Sequence, residues 1–151
     1  MPHVQLDQFP PAEIAGQLRE LALGIPGVRA RQSRMAFPSS VALCLTDESA
    51  QGPPEAFIDN HEFCLLHDLP EASIHVTLPK TIRERVLATA WGEPHPAVRT
   101  GIAPETLFLL YAPRNAQELR VVFDLIAESS RFAKGSRGFC PHDCRREGAM
   151  S

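Results

Sequence analysis

The six residues from Ser73 to Leu78 alternate strictly between polar and apolar side chains. Ser73, His75 and Thr77 are separated by branched apolar residues. Because successive side chains of a β-strand point to opposite faces of the sheet, this period is typical of a strand with one apolar face against a core. The pattern therefore predicts a sheet that is covered by helices on its apolar face and carries His75 on the other.

A strand that begins at Phe63 and ends at His67 is predicted to form a hairpin with this alternating strand. If residue 67 pairs with Ser73, then Leu65 pairs with His75. His67 and His75 then become diagonal neighbours on the polar face, about 7–8 Å apart at their Cα atoms, and Phe63 and Leu65 share that face. A register shifted by one residue would separate the two histidines.

The spacing of apolar residues and the order of elements in the rest of the sequence predict a single α+β domain. Apolar residues at helical spacing indicate helices that begin near Glu13, near Pro79 and after Asn115, and Gly92 is predicted to close the second of them. The order of elements favours a mainly antiparallel sheet of about four or five strands, with the helices packed chiefly on one face. Residues 1–134 are expected to form the domain, and residues 135–151 a flexible tail with linker composition.

Charge and composition exclude several classes of partner. The net charge is −3 and 22% of the 151 residues are charged, with mixed signs. No basic field is present to attract nucleic acid or an anionic membrane, and no apolar run is long enough to span a bilayer. We expect a cytoplasmic protein that binds a small molecule, binds neither nucleic acid nor membrane, and keeps its cysteines reduced.

Three of the six histidines, His67, His75 and His95, lie within thirty residues of one another. Imidazoles grouped near an aromatic side chain and an arginine are suited to proton transfer on a small acidic molecule. Tyr111 and Arg114 follow at the end of a predicted buried strand. Arg114 also precedes a helix N-terminus, where a guanidinium and free N–H groups together favour an anion such as an enolate or a carboxylate.

Other interpretations of these residues stay open from the sequence. Each histidine can be structural, and three imidazoles with Glu62 or Glu93 can hold a metal ion. Cys140, His142 and Cys144 supply thiolate and imidazole ligands that zinc accepts, although no second Cys/His pair accompanies them. Trp91, the only tryptophan, can cover the core at a helix end.

The stretch from Glu62 to Phe132 resembles the fungal luciferase family, with a family core at about residues 41–132. The motifs that carry the resemblance are Glu62 five residues before His67-Asp68, His75 with its apolar neighbours, Trp91-Gly92-Glu93-Pro94-His95-Pro96, and Leu110 to Asn115 with Glu118. The resemblance implies an enzyme that adds O2 to an electron-rich hydroxypyrone, with no organic cofactor and no metal.

The resemblance also implies a set of site residues. The catalytic candidates are His67, His75, His95, Tyr111 and Arg114. Neighbouring residues on the predicted strands and in the same motifs are further candidates, for contact with the substrate: Glu62, Phe63, Leu65, Ser73, Thr77, Trp91 and Glu93. A histidine would act as the general base, and Arg114 would hold the enolate.

The predicted function is a luciferase-like, cofactor-independent oxygenase that acts on a small aromatic or hydroxypyrone-type molecule, with O2 as co-substrate. Two departures from the fungal pattern argue against light emission: the lack of a hydrophobic N-terminal segment, and Leu65 in place of a further histidine. The alternatives are a non-catalytic small-molecule binding module and a metal-dependent enzyme that uses the three histidines.

Overall fold

The computed structural model describes residues 11–32, 40–58, 61–67 and 73–135. The helices are α1 (Ala12–Leu23), α2 (Lys80–Thr89), α3 (Pro96–Arg99) and α4 (Ala116–Lys134), with a 3-10 helix at Pro54–Ala56. The strands are β1 (Val28–Gln32), β2 (Val41–Leu45), β3 (Glu62–Leu66), β4 (Ile74–Thr77), β5 (Gly92–Pro94) and β6 (Leu107–Leu110).

The strands form one antiparallel sheet in the order β1-β2-β3-β4-β6-β5. The predicted α+β fold is confirmed, but the sheet has six strands and not the four or five expected. The two short outer strands account for the difference. Strand β1 is short, with Arg29, Ala30 and Arg31 all exposed, and β5 has only three residues and contains Pro94, so neither carries the apolar run of a buried strand.

One face of the sheet packs against α1, α2 and α4. Its central row consists of Leu43, Cys64, Val76 and Phe108, which lie opposite one another on β2, β3, β4 and β6. These residues belong to the main core cluster together with buried residues of the three helices, Leu18, Ala22, Ile82, Val86, Leu119, Val122, Leu125, Ile126 and Ala133. The expected packing of helices chiefly on one face is confirmed.

The opposite face carries the predicted site and is named here the histidine face. Its central row is Leu65, His75, Leu109 and Glu93, which lie opposite one another on β3, β4, β6 and β5. The pairing of Leu65 with His75 is the register that the alternation pattern predicts, and the His67 N–H donates to the Ser73 carbonyl at 3.0 Å. The predicted turn at residues 68–72 lies outside the described residues.

A β-bulge between β2 and β3 changes which side chains reach the histidine face. Leu43 pairs with Cys64, whereas the next residue, Cys44, pairs with Glu62, so Phe63 is the extra residue. Phe63 is 0% exposed and belongs to the main core cluster. The prediction that Phe63 shares the histidine face is therefore wrong, and the bulge places Glu62 there, opposite Cys44.

Gly92 does not close α2 as predicted. The helix ends at Thr89 and is capped by Ala90, which takes the left-handed conformation at φ 62°, and Gly92 pairs with Leu110 as the first residue of β5. A Cβ atom at Gly92 would collide with the Leu109 carbonyl oxygen and lie 3.1 Å from the Leu110 Cα. The absence of a side chain thus lets β5 join the sheet.

Gly92→Ala is expected to lower the free energy of unfolding by about 1–3 kcal/mol, because the new methyl group meets backbone and must push β5 from β6. Urea unfolding measures the change. Gly16→Ala is the matched control, because nothing lies within 4 Å of a Cβ there and Gly16 is inside α1. Alanine at position 16 should instead stabilise by about 0.5–1 kcal/mol. Equal effects of the two substitutions would contradict this account of β5.

Candidate functional site

Three histidine rings meet on the histidine face. The ring centroids of His67 and His75 are 4.5 Å apart at an interplanar angle of 70°. Those of His75 and His95 are 4.6 Å apart at 77°. The structure therefore brings together the three predicted histidines in one row of edge-to-face contacts, with His75 in the middle.

Each outer ring is fixed by a further contact. The Ser40 hydroxyl lies 3.3 Å from His67 Nδ1, and the Ala97 backbone N–H donates to His95 Nδ1 at 3.1 Å. The backbone of His95 is restrained as well. The residue lies between Pro94 and Pro96, and its backbone N–H donates to the Leu107 carbonyl at 3.1 Å. The row is thus anchored at both ends by groups outside the three rings.

His95 is the most exposed ring of the row. His67 and His75 are 9% and 7% exposed, whereas His95 is only partly buried. Leu65 and Leu109 flank His75 on the neighbouring strands and are buried. His95 is therefore the ring most open to solvent, while His75 in the middle of the row is shielded by apolar side chains.

Tyr111 and Glu93 lie at the more exposed end of the histidine face. The Tyr111 hydroxyl donates to the Glu93 carboxylate at 2.6 Å, a short charge-assisted bond. Glu93 is on β5, and Tyr111 follows β6, so the antiparallel pairing of the two strands brings these residues together. Both candidates therefore lie on the strands next to the histidine row.

The other residues predicted to contact the substrate lie in different surroundings. Ser73 pairs with His67 on the histidine face, is 0% exposed, and its hydroxyl has no hydrogen-bond partner among the described residues. The Thr77 hydroxyl instead donates to the Ala56 carbonyl at 2.7 Å and lies 3.4 Å from the Ser129 hydroxyl of α4. Trp91 packs against the main core cluster, which agrees with the interpretation that it covers the core at a helix end.

Two ionisable groups are buried in β3. Glu62 is 0% exposed, and Cys64 beside it in the strand is 0% exposed. Burial raises the pKa of the Cys64 thiol well above its usual range, and the negative charge of Glu62 raises it further. Cys64 is therefore a neutral thiol at physiological pH and not an activated nucleophile.

Arg114 does not lie in the histidine row. Its guanidinium donates to both carboxylate oxygens of Glu118, at 3.1 and 2.7 Å, and its backbone N–H donates to Glu118 at 2.8 Å. The Asn115 side chain caps α4 by accepting from the Glu118 N–H at 2.9 Å. To hold a substrate anion, Arg114 would have to leave this ion pair.

The Arg114–Glu118 contact is expected to make stability depend on pH. The hydrogen bond from Arg114 lowers the pKa of the Glu118 carboxyl. The ionised form therefore stabilises the fold above the unfolded-state pKa of about 4.3, and this contribution is lost as the pH falls through the lower folded-state pKa. Glu118→Gln should reduce the free energy of unfolding at neutral pH and not in strong acid.

Urea unfolding of both proteins across the acid range measures this difference. Glu84→Gln is a control, because Glu84 pairs with Lys80 at 3.4 Å with both side chains mostly exposed. Its effect should be smaller. A Glu118→Gln difference that is the same at every pH would contradict the prediction.

The described part of the chain shows neither a metal-binding cluster nor a membrane-spanning helix. Within it, no three side chains of His, Cys, Asp or Glu are arranged to hold one metal ion. The proposed zinc ligands at 140–144 lie outside the described residues. None of the helices formed by described residues has the length and apolar character needed to cross a membrane.

Sequence reasoning missed Ser40 and the Ala97 N–H, the two groups that contact the outer histidines. Ser40 lies directly before β2 and reaches His67 because β2 pairs with β3. The Ser40–His67 contact joins residues 27 positions apart in the chain. A possible signal for Ala97 was His95-Pro96, since a polar side chain before a proline often caps a short helix.

Comparison with known proteins identifies the family. The luciferase domain family model matches residues 60–129, the segment that holds all three histidines of the row. A luciferase of Neonothopanus nambi is 37% identical over 71 residues, which are 46% of this chain and 26% of that protein. A luciferase of Armillaria ostoyae is 30% identical over 145 residues, which are 83% of this chain and 53% of that protein.

The chain thus spans about half the length of one of these relatives and about a quarter of the other. No solved structure matches it. The family match and the relatives agree with the motifs around the three histidines, and the chain therefore contains a domain of the luciferase family, the family of the fungal luciferases.

Proposed function

We propose that the histidine face binds a small aromatic or hydroxypyrone-type molecule and oxygenates it, with His75 as the general base. The observation that carries the proposal is the contact of three imidazole rings within the luciferase-family segment. A neutral imidazole removes protons efficiently near pH 7. His75 contacts both other rings and lies between apolar neighbours, which would keep water away from the enolate and the oxygenated intermediate.

The proposed reaction begins when His75 takes a proton from the substrate and leaves an enolate. The enolate carbon gives two electrons to O2, so that a C–O bond forms, the substrate is oxidised and O2 is reduced to the level of a peroxide. The proton on the His75 imidazolium then converts the peroxide anion to a hydroperoxide. The substrate supplies both electrons, so this scheme uses no organic cofactor and no metal.

Oxygen uptake by the purified protein with a panel of hydroxypyrones and phenols tests the proposal. We expect uptake of one O2 per substrate consumed, and a product heavier by two oxygen atoms in mass spectrometry. The rate should survive treatment with a chelator. Loss of the rate on chelation and recovery with one added metal would instead support a metal-dependent enzyme on the same histidines.

A second outcome separates catalysis from binding. A panel compound that binds tightly in native mass spectrometry and is never consumed would contradict the oxygenase and support a non-catalytic binding module. The buried Ser73 hydroxyl on the histidine face is compatible with either function, because a bound molecule could accept its hydrogen bond.

A further inference from the structure

We infer that His95 is a neutral hydrogen-bond donor and not a base: its proton is on Nε2, and this N–H holds the substrate oxygen on which the enolate charge develops. The substrate in this inference rests on the proposed function. The position of the proton is a property of the ligand-free protein and can be measured without any substrate.

The contact between Ala97 and His95 determines the tautomer. The Ala97 backbone N–H donates to His95 Nδ1 at 3.1 Å, and a backbone N–H cannot accept a hydrogen bond. Nδ1 must therefore present its lone pair. A neutral imidazole carries one N–H, so in this contact the proton is on Nε2. Protonation of Nδ1 would set two donors against each other and break the bond.

The same segment holds the His95 ring in place. His95 has φ −64° and ψ 143°, the extended conformation that a following proline favours. Its N–H donates to the Leu107 carbonyl at 3.1 Å, and its carbonyl accepts from the Val98 N–H at 2.9 Å. The backbone on both sides of the ring is thus fixed by the sheet and by α3. A donor held in this way needs no rearrangement when charge develops on a bound oxygen.

With this tautomer, the neighbouring rings of His95 and His75 have different roles. His95 is partly exposed and donates, and His75, whose ring centroid is 4.6 Å away, takes the proton in the proposed reaction. The stabilisation of the enolate, which the sequence predicted for Arg114, then falls to His95. Arg114 is already bound through both guanidinium bonds to Glu118.

Nitrogen NMR of the ligand-free protein labelled at histidine nitrogens tests the tautomer. The His95 signals are identified by their loss in His95→Gln. We expect an unprotonated Nδ1 and a protonated Nε2 at neutral pH. A protonated Nδ1 would overturn the inference whether or not the protein consumes O2, and an absence of O2 uptake in wild type would overturn the proposed function and leave the tautomer standing.

Two substitutions test the donor role once O2 uptake is established. His95→Ala removes the N–H and is expected to lower kcat by about 10²–10³-fold, the usual effect of losing one donor to an oxyanion. His95→Gln places an amide N–H near the former Nε2 and should recover most of this loss, with the pH profile of kcat unchanged. Equal losses in both variants, with both folded by circular dichroism, would overturn the donor role.

Discussion

Replacement of His75 by alanine is expected to lower kcat/KM for oxygenation by about 10²–10⁴-fold, the range for loss of a general base. His75 should have the largest effect of the three histidines because it is the ring that contacts both others, at 4.5 and 4.6 Å. Without it the substrate must lose its proton to water. Steady-state O2 uptake with a substrate found in the panel measures the change.

His61→Ala is the matched control for His75→Ala. His61 directly precedes β3, its side chain is 39% exposed, and its ring pairs with Asp47 at 3.1 Å. It lies outside the histidine row, so its loss should leave the rate unchanged. An unchanged rate in His75→Ala, with thermal unfolding like that of wild type, would contradict the role of His75 as base. Equal loss in both variants would point to a general effect on the fold.

Phe63→Ala is expected to lower the free energy of unfolding by about 3–5 kcal/mol, the usual cost of truncating a buried phenylalanine. Phe63 is 0% exposed, and the bulge directs it into the core cluster that the sheet shares with α4. Alanine would leave a cavity that the surrounding side chains fill only in part. The loss is large against the total stability of about 5–15 kcal/mol for a native domain.

Urea unfolding of Phe63→Ala and Phe123→Ala compares a fully buried ring with a partly buried one of the same core. Phe123→Ala should cost less, because its ring keeps part of its contact with water. Phe63→Leu should also cost less, because leucine leaves a smaller cavity. If Phe63→Ala left stability unchanged and only weakened substrate binding, Phe63 would belong to the binding site, as first predicted from the sequence.

The hairpin of β3 and β4 shows how far the sequence could predict this protein. Alternation from Ser73 to Leu78 placed His75 on the face away from the helices, and pairing of residues 67 and 73 placed His67 beside it. Both statements agree with the structure. They could be made because side-chain direction in a strand is a local property of the extended backbone.

Prediction failed where a long-range contact decides the position of a side chain. Phe63 and Glu62 exchange faces because β3 meets β2 through a bulge, and β2 is about twenty residues earlier in the chain. Arg114 was expected at the site, and its carboxylate partner Glu118 lies four residues further along the chain. What the sequence could not show is that this carboxylate engages the guanidinium as well as the helix N-terminus.

The sequence by itself determined the fold class, the helix-covered face of the hairpin and the candidate histidines, because periodicity and helix signals depend on residues close together in the chain. The tertiary structure alone decided that the three rings touch. His95 reaches His75 only because β5 pairs with β6, which Gly92 permits by having no side chain. The tautomer of His95 was likewise decided in three dimensions, because it depends on where the Ala97 N–H lies and not on which residues surround it in sequence.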